Sequence, residues 1–277
     1  MIQDIYPMNF ANEYRPVPPT DDSYVIICEN RSILMKKENG TISLPKISDF
    51  DKKYQSDYIY LFSVNNDNFY ILKYFDDSIY DKYEFIYVEK LRQAKPKHLA
   101  FCAVTGLQLF TWYKNRQHCG RCGGKLEHSE KERMMFCPTC KIYEYPKISP
   151  AVIVGVYHKD KLLLSKYADR EYKKYALLAG FAEIGETIEE TIKREVMEEV
   201  GLQVKNIRYY KSQPWSFSDT LLFGFFAELD GSEDITLDKT ELSTAEWFER
   251  DKIPVAYDGV SLTNEMIMMF KENKIDL

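Results

Sequence analysis

The sequence predicts an α+β chain: an α/β domain in the C-terminal half, preceded by a short cysteine-rich ribbon and a β-rich N-terminal domain. Three observations carry this. Short apolar segments separated by turn residues run to about residue 95, two tight cysteine pairs lie between residues 119 and 140, and strand-like runs alternate with helical periods from Pro150 onward. The expected division is 1–97, 98–145 and 146–277.

In chain order, Tyr24 to Cys28, Ile33 to Met35, Tyr58 to Val64 and Phe69 to Tyr74 read as strands, separated by turn-rich pieces such as Glu38-Asn39-Gly40. The many tyrosines here form no catalytic constellation and are expected to build an aromatic sheet core. From His98 to Gln117, Leu99, Cys102, Ala103, Leu107, Leu109 and Phe110 fall near helical spacing, so a helix should lead into the cysteine pairs. Beyond them the expected strands are Ala151 to Tyr157, Leu162 to Ser165, Ala176 to Leu178, Val204 to Ser212 and Thr220 to Leu229. The expected helices are Ile188 to Val200 and Leu262 to Lys271.

With 37 basic against 43 acidic residues, the net charge of -6 argues against a protein whose main task is gripping nucleic acid through its phosphates. The opening MIQDIYPMNF lacks the basic region and apolar core of a secretory signal, and no apolar run approaches membrane-spanning length, so a cytoplasmic location is expected.

Of the six cysteines, four are in Cys119-Gly-Arg-Cys122 and Cys137-Pro-Thr-Cys140, a C-x2-C-x14-C-x2-C spacing. Each pair sets two thiolates on one tight turn, and four soft sulfurs close a tetrahedral zinc site with no position left for water, so one structural Zn²⁺ per chain is expected. The loop from Gly123 to Phe136 mixes Lys125, Lys131 and Arg133 with Glu127, Glu130 and Glu132 and offers no plainly basic face. Cys28 and Cys102, in apolar surroundings, read as small core residues.

The segment Gly180 to Leu202 carries the densest chemistry. On a helix, Glu195, Glu198 and Glu199 stand at i, i+3 and i+4, which converges three carboxylates on one face. Hard divalent cations are the natural counter-charge, and Mg²⁺ or Mn²⁺ suits oxygen ligands. Ile188, Ile192, Val196 and Val200 recur every four residues and should bury the opposite side. Arg194 can pair with Glu198 one turn on or with Glu186, and Gly180 and Gly201 are expected where tight turns bound the segment. Metal-bound carboxylates would polarise a diphosphate and activate a water, Glu199 and Glu198 being the leading candidates for ligand and base, in either order.

The segment reads G-x5-E-x7-REVMEEVGL and resembles the Nudix box, G-x5-E-x7-REU-x-EE-x-GU with U aliphatic, at every fixed position. Ten residues after Leu202, Ser212-Gln213-Pro214-Trp215-Ser216-Phe217-Ser218-Asp219-Thr220 resembles the SQPWPFPxS signature of bacterial NADH pyrophosphatases, a Nudix branch that also carries a four-cysteine ribbon. This resemblance covers residues 98 to about 270 and implies a Nudix α/β/α sandwich, hydrolysis of NADH and NAD⁺ to nicotinamide mononucleotide and AMP, removal of NAD caps from RNA, and a homodimer. By the same resemblance the carbonyl of Ala179 and the carboxylates of Glu195, Glu199 and Glu241 bind the catalytic metal, while Tyr145, Phe181, Gln213, Trp215 and Phe217 contact substrate. Ser216, Ser218 and Thr220 depart from two prolines and a serine of the signature, loosening a rigid loop.

Two other readings stand beside this one. One is a Nudix hydrolase of another nucleoside diphosphate, such as ADP-ribose or a dinucleoside polyphosphate. The other is a zinc-ribbon nucleic-acid-binding regulator that uses its Nudix domain as a ligand sensor. The complete carboxylate set weighs against the second.

Overall fold

A computed structural model describes residues 1–50, 58–72, 82–168 and 174–276. The chain forms two units, one of residues 2–147 with 216–219, the other of Met1, residues 148–215 and residues 220 onward.

In the first unit, β1 (Phe10–Ala11), β6 (Tyr58–Val64), β7 (Asp67–Leu72) and β2 (Tyr24–Ile26) form one sheet in that order, and β3 (Cys28–Glu29), β4 (Ser32–Glu38), β5 (Thr41–Ser43) and β8 (Glu84–Tyr87) form another around β4. The expected strand from Phe69 ends at Leu72 within the described residues, residues 73 and 74 lying outside them. Asn30 and Arg31, with φ of 44° and 62°, make the two-residue turn between β3 and β4, the left-handed geometry that matches the twist of paired strands. Tyr24 stacks on Phe69 at 5.0 Å, and Phe62 and Tyr60 pack against Phe69 and Tyr70 at 5.2 and 5.7 Å. Tyr60 and Tyr70 thus belong to the buried core, whereas Tyr6 and Tyr87 are exposed.

Helix α1 (Lys97–Asn115) lies within this unit, so the linking helix and the ribbon fold together with the N-terminal strands. Its interior glycine marks a close approach: a β-carbon on Gly106 would overlap Ile26 Cδ1 and lie 3.1 Å from Ile26 Cγ2. Cys28 and Cys102 are both buried, and burial pushes both thiols well above their ordinary range, as inert core groups require. The ribbon strands β9 (Glu127–His128), β10 (Met135–Phe136) and β11 (Tyr143–Glu144) complete the unit.

In the second unit, β12 (Ser149–His158), β13 (Lys161–Tyr167), β14 (Leu178–Phe181), β15 (Val204–Trp215), β16 (Thr220–Leu229) and β17 (Leu242–Glu249) form one sheet, ordered β15-β16-β12-β13-β17 with β14 also on β12. The β12 and β16 strands are parallel, so β12 is covered on both faces and its side chains divide between two cores. Val152, Val154 and Val156 point into the core shared with α2 (Ile188–Val200), whereas Ile153 and Tyr157 point into the core shared with α3 (Leu262–Lys271). The result is the expected α/β/α sandwich. β17 went unforeseen because Leu242 to Glu249 mixes polar and apolar residues without clean alternation; its burial comes from pairing with β13. No helix among the described residues is long and apolar enough to cross a membrane.

Candidate active site

Helix α2 begins at a capping box that sequence reading missed. Thr187 Oγ1 accepts from Glu190 N at 3.2 Å, and Glu190 Oε2 accepts from Thr187 N at 2.8 Å. It ends at Gly201, whose φ of 69° is the left-handed C-cap that glycine adopts at least cost. Between the caps, Ile192, Val196 and Val200 are fully buried and Ile188 partly so, as their spacing of four predicted. The carboxylates then divide: Glu195 and Glu199 are only 9% and 2% exposed, while the Glu198 side chain is 58% exposed.

Arg194 organises this face. Its Nε and Nη2 donate to the two oxygens of Glu186 at 2.6 and 3.0 Å, a bidentate pair, and Nη1 donates to Glu195 Oε1 at 2.8 Å and Glu198 Oε2 at 2.9 Å. Nη2 also donates to the Phe181 carbonyl at 2.9 Å. Both pairings expected of this arginine are present. Its guanidinium, helped by the Glu183 N–H, lowers the Glu186 carboxyl to about 2. Glu195 moves the other way, because burial outweighs Arg194 and the charges of Glu198 and Glu241 add to it.

Glu241, exposed and just before β17, therefore lies within the electrostatic reach of Glu195, 46 residues earlier in the chain. The expectation of a tight turn at Gly180 needs correction. This residue lies within β14 opposite Val152, and a β-carbon there would overlap Glu195 Cδ and both its oxygens. Glycine is required because the buried carboxylate rests on the backbone. Ala179, whose carbonyl was the expected main-chain ligand, is the preceding residue of the same strand. Three carboxylates, the buried Glu195 among them, converge around a single guanidinium, and the buried Glu199 stands on the same helix. That donor set suits a hard divalent cation.

The expected substrate contacts are distributed unevenly. Phe181 is 54% exposed, and Trp215, half-buried at the end of β15 opposite Thr220, belongs to the same unit. Gln213 is fully buried: its Nε2 donates to the Val260 carbonyl at 3.0 Å and its Oε1 accepts from Leu262 N at 2.7 Å, tying β15 to the start of α3. Phe217 is buried in the first unit. Tyr145, also in the first unit, is exposed and donates to Glu132 Oε2 at 3.1 Å.

In the ribbon, the sulfurs of Cys119, Cys122, Cys137 and Cys140 all lie within 4.8 Å of one another. The knuckles close through Gly123 N to Cys119 O and Lys141 N to Cys137 O, both 2.9 Å. Backbone N–H groups of Cys122 and Arg121 lower the Cys119 thiol to about 7, favouring the thiolate that a zinc ligand must be. The donor set and its compactness fit a structural zinc. The ribbon is also tied to α1 and to the N-terminal segment before it: Tyr113 Oη and His128 Nε2 are 2.8 Å apart, Tyr14 Oη donates to Ser129 O at 3.4 Å, and Arg133 donates to Asn12 Oδ1 and O, both at 3.2 Å, and to Leu61 O.

Fold and site together are those of a Nudix domain, whose family model matches residues 147–268, and the segment before it matches the model of the NADH pyrophosphatase zinc ribbon domain over residues 114–145. More particularly, the chain is 41% identical over 167 residues to a protein of Photorhabdus laumondii named NAD-capped RNA hydrolase NudC, covering 60% of this chain and 65% of that one. It is 43% identical over 150 residues to a Shigella flexneri protein of the same name, covering 54% and 58%. The chain thus spans roughly three fifths of the length of these relatives. A solved Nudix hydrolase of Nitrosomonas europaea is 25% identical, covering 57% of this chain and 92% of that one at a TM-score of 0.48.

Proposed function

We propose that this chain is a metal-dependent pyrophosphatase that cleaves the diphosphate of NADH and NAD⁺ to nicotinamide mononucleotide and AMP and also removes NAD caps from RNA. The observation that carries the reading is the α2 carboxylate face, with Glu195 buried beside the Arg194 guanidinium and Glu199 buried on the same helix, in the same unit as the exposed ring of Phe181 and the half-buried ring of Trp215. The names of the relatives support the substrate class.

Glu195, Glu199, Glu241 and the Ala179 carbonyl would hold Mg²⁺ or Mn²⁺. When bound, the metal supplies charge neutralisation of the diphosphate and acidifies a water. The protein's own contribution is orientation. Arg194 fixes Glu195 and Glu198 from one guanidinium, and Glu198, held at 2.9 Å yet open to solvent, takes the proton of the attacking water. Trp215 and Phe181 stack on the flat bases, each contact contributing about 1–3 kcal/mol by analogy with single-stranded nucleic acids. Tyr145, Gln213 and Phe217 are carried as further proposed substrate contacts on the family resemblance alone.

The loss of two prolines at Ser216 and Ser218 would favour a broader Nudix substrate range if the loop were loose. Burial of Ser216 and Phe217 supports a held loop instead. In the cell the protein is taken to be a cytoplasmic homodimer with one structural zinc per chain.

The test is a substrate panel with Mg²⁺ or Mn²⁺: NADH, NAD⁺, ADP-ribose, diadenosine polyphosphates and NAD-capped RNA. NADH or the NAD cap should turn over fastest, with AMP or 5′-monophosphate RNA as product. Comparable rates on every compound would overturn the assignment, and light scattering under the same conditions checks the dimer.

A further inference from the structure

Helix α2 ends at Val200, where the last turn of any helix leaves carbonyls without intrahelical donors. The segment leading into β17 takes up two of them. Thr236 N–H donates to the Val200 carbonyl at 2.9 Å and Asp238 N–H donates to the Glu199 carbonyl at 3.0 Å. The approach is close, since a β-carbon on Gly201 would lie 2.8 Å from Thr236 Cβ. The backbone of Glu199 is thereby bonded to the residue three positions before Glu241.

Asp238 also builds the turn that carries Glu241. Its Oδ1 accepts from Thr240 N at 2.8 Å and from Thr240 Oγ1 at 2.7 Å, the side-chain bonding by which an aspartate sets a turn. Its carbonyl accepts from the N–H groups of Glu241 at 3.3 Å and Leu242 at 2.9 Å. Leu242 is fully buried, and the Glu241 carbonyl accepts from Ala168 N at 2.8 Å, so the backbone of Glu241 is held from both sides. The Glu241 side chain stays exposed, and its charge is felt at Glu195.

We propose that Asp238 is a positioning residue for the catalytic metal site: its N–H ties it to the helix that bears Glu195 and Glu199, and its carboxylate and carbonyl shape the turn that bears Glu241. One residue thus fixes the spacing of carboxylates that come from two distant segments. The inference rests on the reading that Glu195, Glu199 and Glu241 hold the metal. Asp238 acts through the backbone of the turn and not as a ligand. Holding the turn in advance removes conformational entropy that metal binding would otherwise have to overcome.

The experiment titrates Mn²⁺ into the full chain without substrate and reads free Mn²⁺ by electron paramagnetic resonance. It compares wild type, Asp238→Ala, Asp238→Asn, Glu241→Gln and the double variant Asp238→Ala/Glu241→Gln. Asp238→Ala should weaken Mn²⁺ binding about tenfold, the loss typical of a group that orients a metal ligand, and Glu241→Gln by at least as much. Asp238→Asn keeps an oxygen that accepts from Thr240 and loses only the charge, so it should stay within about twofold of wild type. In the Glu241→Gln background Asp238→Ala should have no further effect, because both changes act through one carboxylate. An unmoved affinity in folded Asp238→Ala, an equal loss in Asp238→Asn, or additive effects in the double variant would overturn the proposal. Should Asp238→Ala fail to fold, Thr240→Val should weaken binding by more than about twofold and Thr240→Ser should not, and equal affinities for that pair would overturn it. Wild-type binding by Glu241→Gln would remove Glu241 from the metal site and the proposal with it. Failure of the wild-type protein to cleave NADH would remove the proposed activity, and the titration would still decide the role of Asp238.

Discussion

The backbone of Gly180 rests directly on the carboxylate of Glu195, so that any side chain at residue 180 would occupy the space of both carboxylate oxygens. The contact joins the strand bearing the Ala179 carbonyl to the helix bearing the acidic face. Gly180→Ala should displace Glu195, weaken activation by Mn²⁺ about 10- to 100-fold, and leave the zinc content unchanged. A metal-activation curve indistinguishable from wild type would show that the strand and helix can part without cost to the site.

Glu199 is the most buried carboxylate of α2. Glu199→Gln preserves its shape and removes its charge, so turnover of NADH should fall by at least about a hundredfold with the fold intact. Circular dichroism and elemental analysis verify the second half of that statement. Retained activity would remove Glu199 from the site.

Arg194 ties Glu186, Glu195 and Glu198 together, and the effect on Glu186 has a defined pH window. A carboxyl lowered in the folded state from 4.5 to about 2 contributes stability above pH 4.5, and that contribution is lost as the pH falls from about 4.5 to 2. The stability difference between wild type and Arg194→Gln should therefore be largest near neutrality and shrink across that window. Thermal midpoints measured from pH 7 to pH 2 check it, and a difference that grows on acidification would contradict the sign.

Elemental analysis should find about one zinc per chain, in keeping with four cysteines in one site. Because His128 is tied to Tyr113 of α1 and Arg133 to Asn12 of the N-terminal segment, Cys137→Ser should loosen more than the ribbon. Limited proteolysis should then cut within residues 2–113 as well as near the cysteines. Cleavage confined to the ribbon would show that the ties transmit nothing.

At Gly106 the close approach of α1 to Ile26 leaves no room for a methyl group, and Gly106→Ala should cost about 1–3 kcal/mol despite the better helix propensity of alanine. Urea midpoints measure the outcome.

Much of the active face was legible because it is local. A helix repeats its geometry, so the spacing of Glu195, Glu198 and Glu199, the aliphatic stripe from Ile188 to Val200 and the two cysteine pairs could be read without knowing the fold. What was not legible depends on residues meeting across the sequence. The reason for glycine at 180 is a carboxylate 15 positions later. Glu241 meets the field of Glu195 because of β17, whose mixed pattern gives it no signature of its own. Gln213, read as a substrate contact from its place in a signature, has both ends of its amide committed to Val260 and Leu262. The uneven exposure of the three α2 glutamates likewise needed the packed sheet to be seen.

The chain passes from one unit to the other between Trp215 and Ser216 and back again between Asp219 and Thr220, which bears on how this protein can be divided or inherited. Cutting once at the 147/148 junction would free a catalytic half still carrying Phe217, an aromatic ring stripped of its packing and turned into a sticky surface patch. An expression design that keeps residues 148–277 alone therefore carries that ring without the first-unit residues it is grouped with.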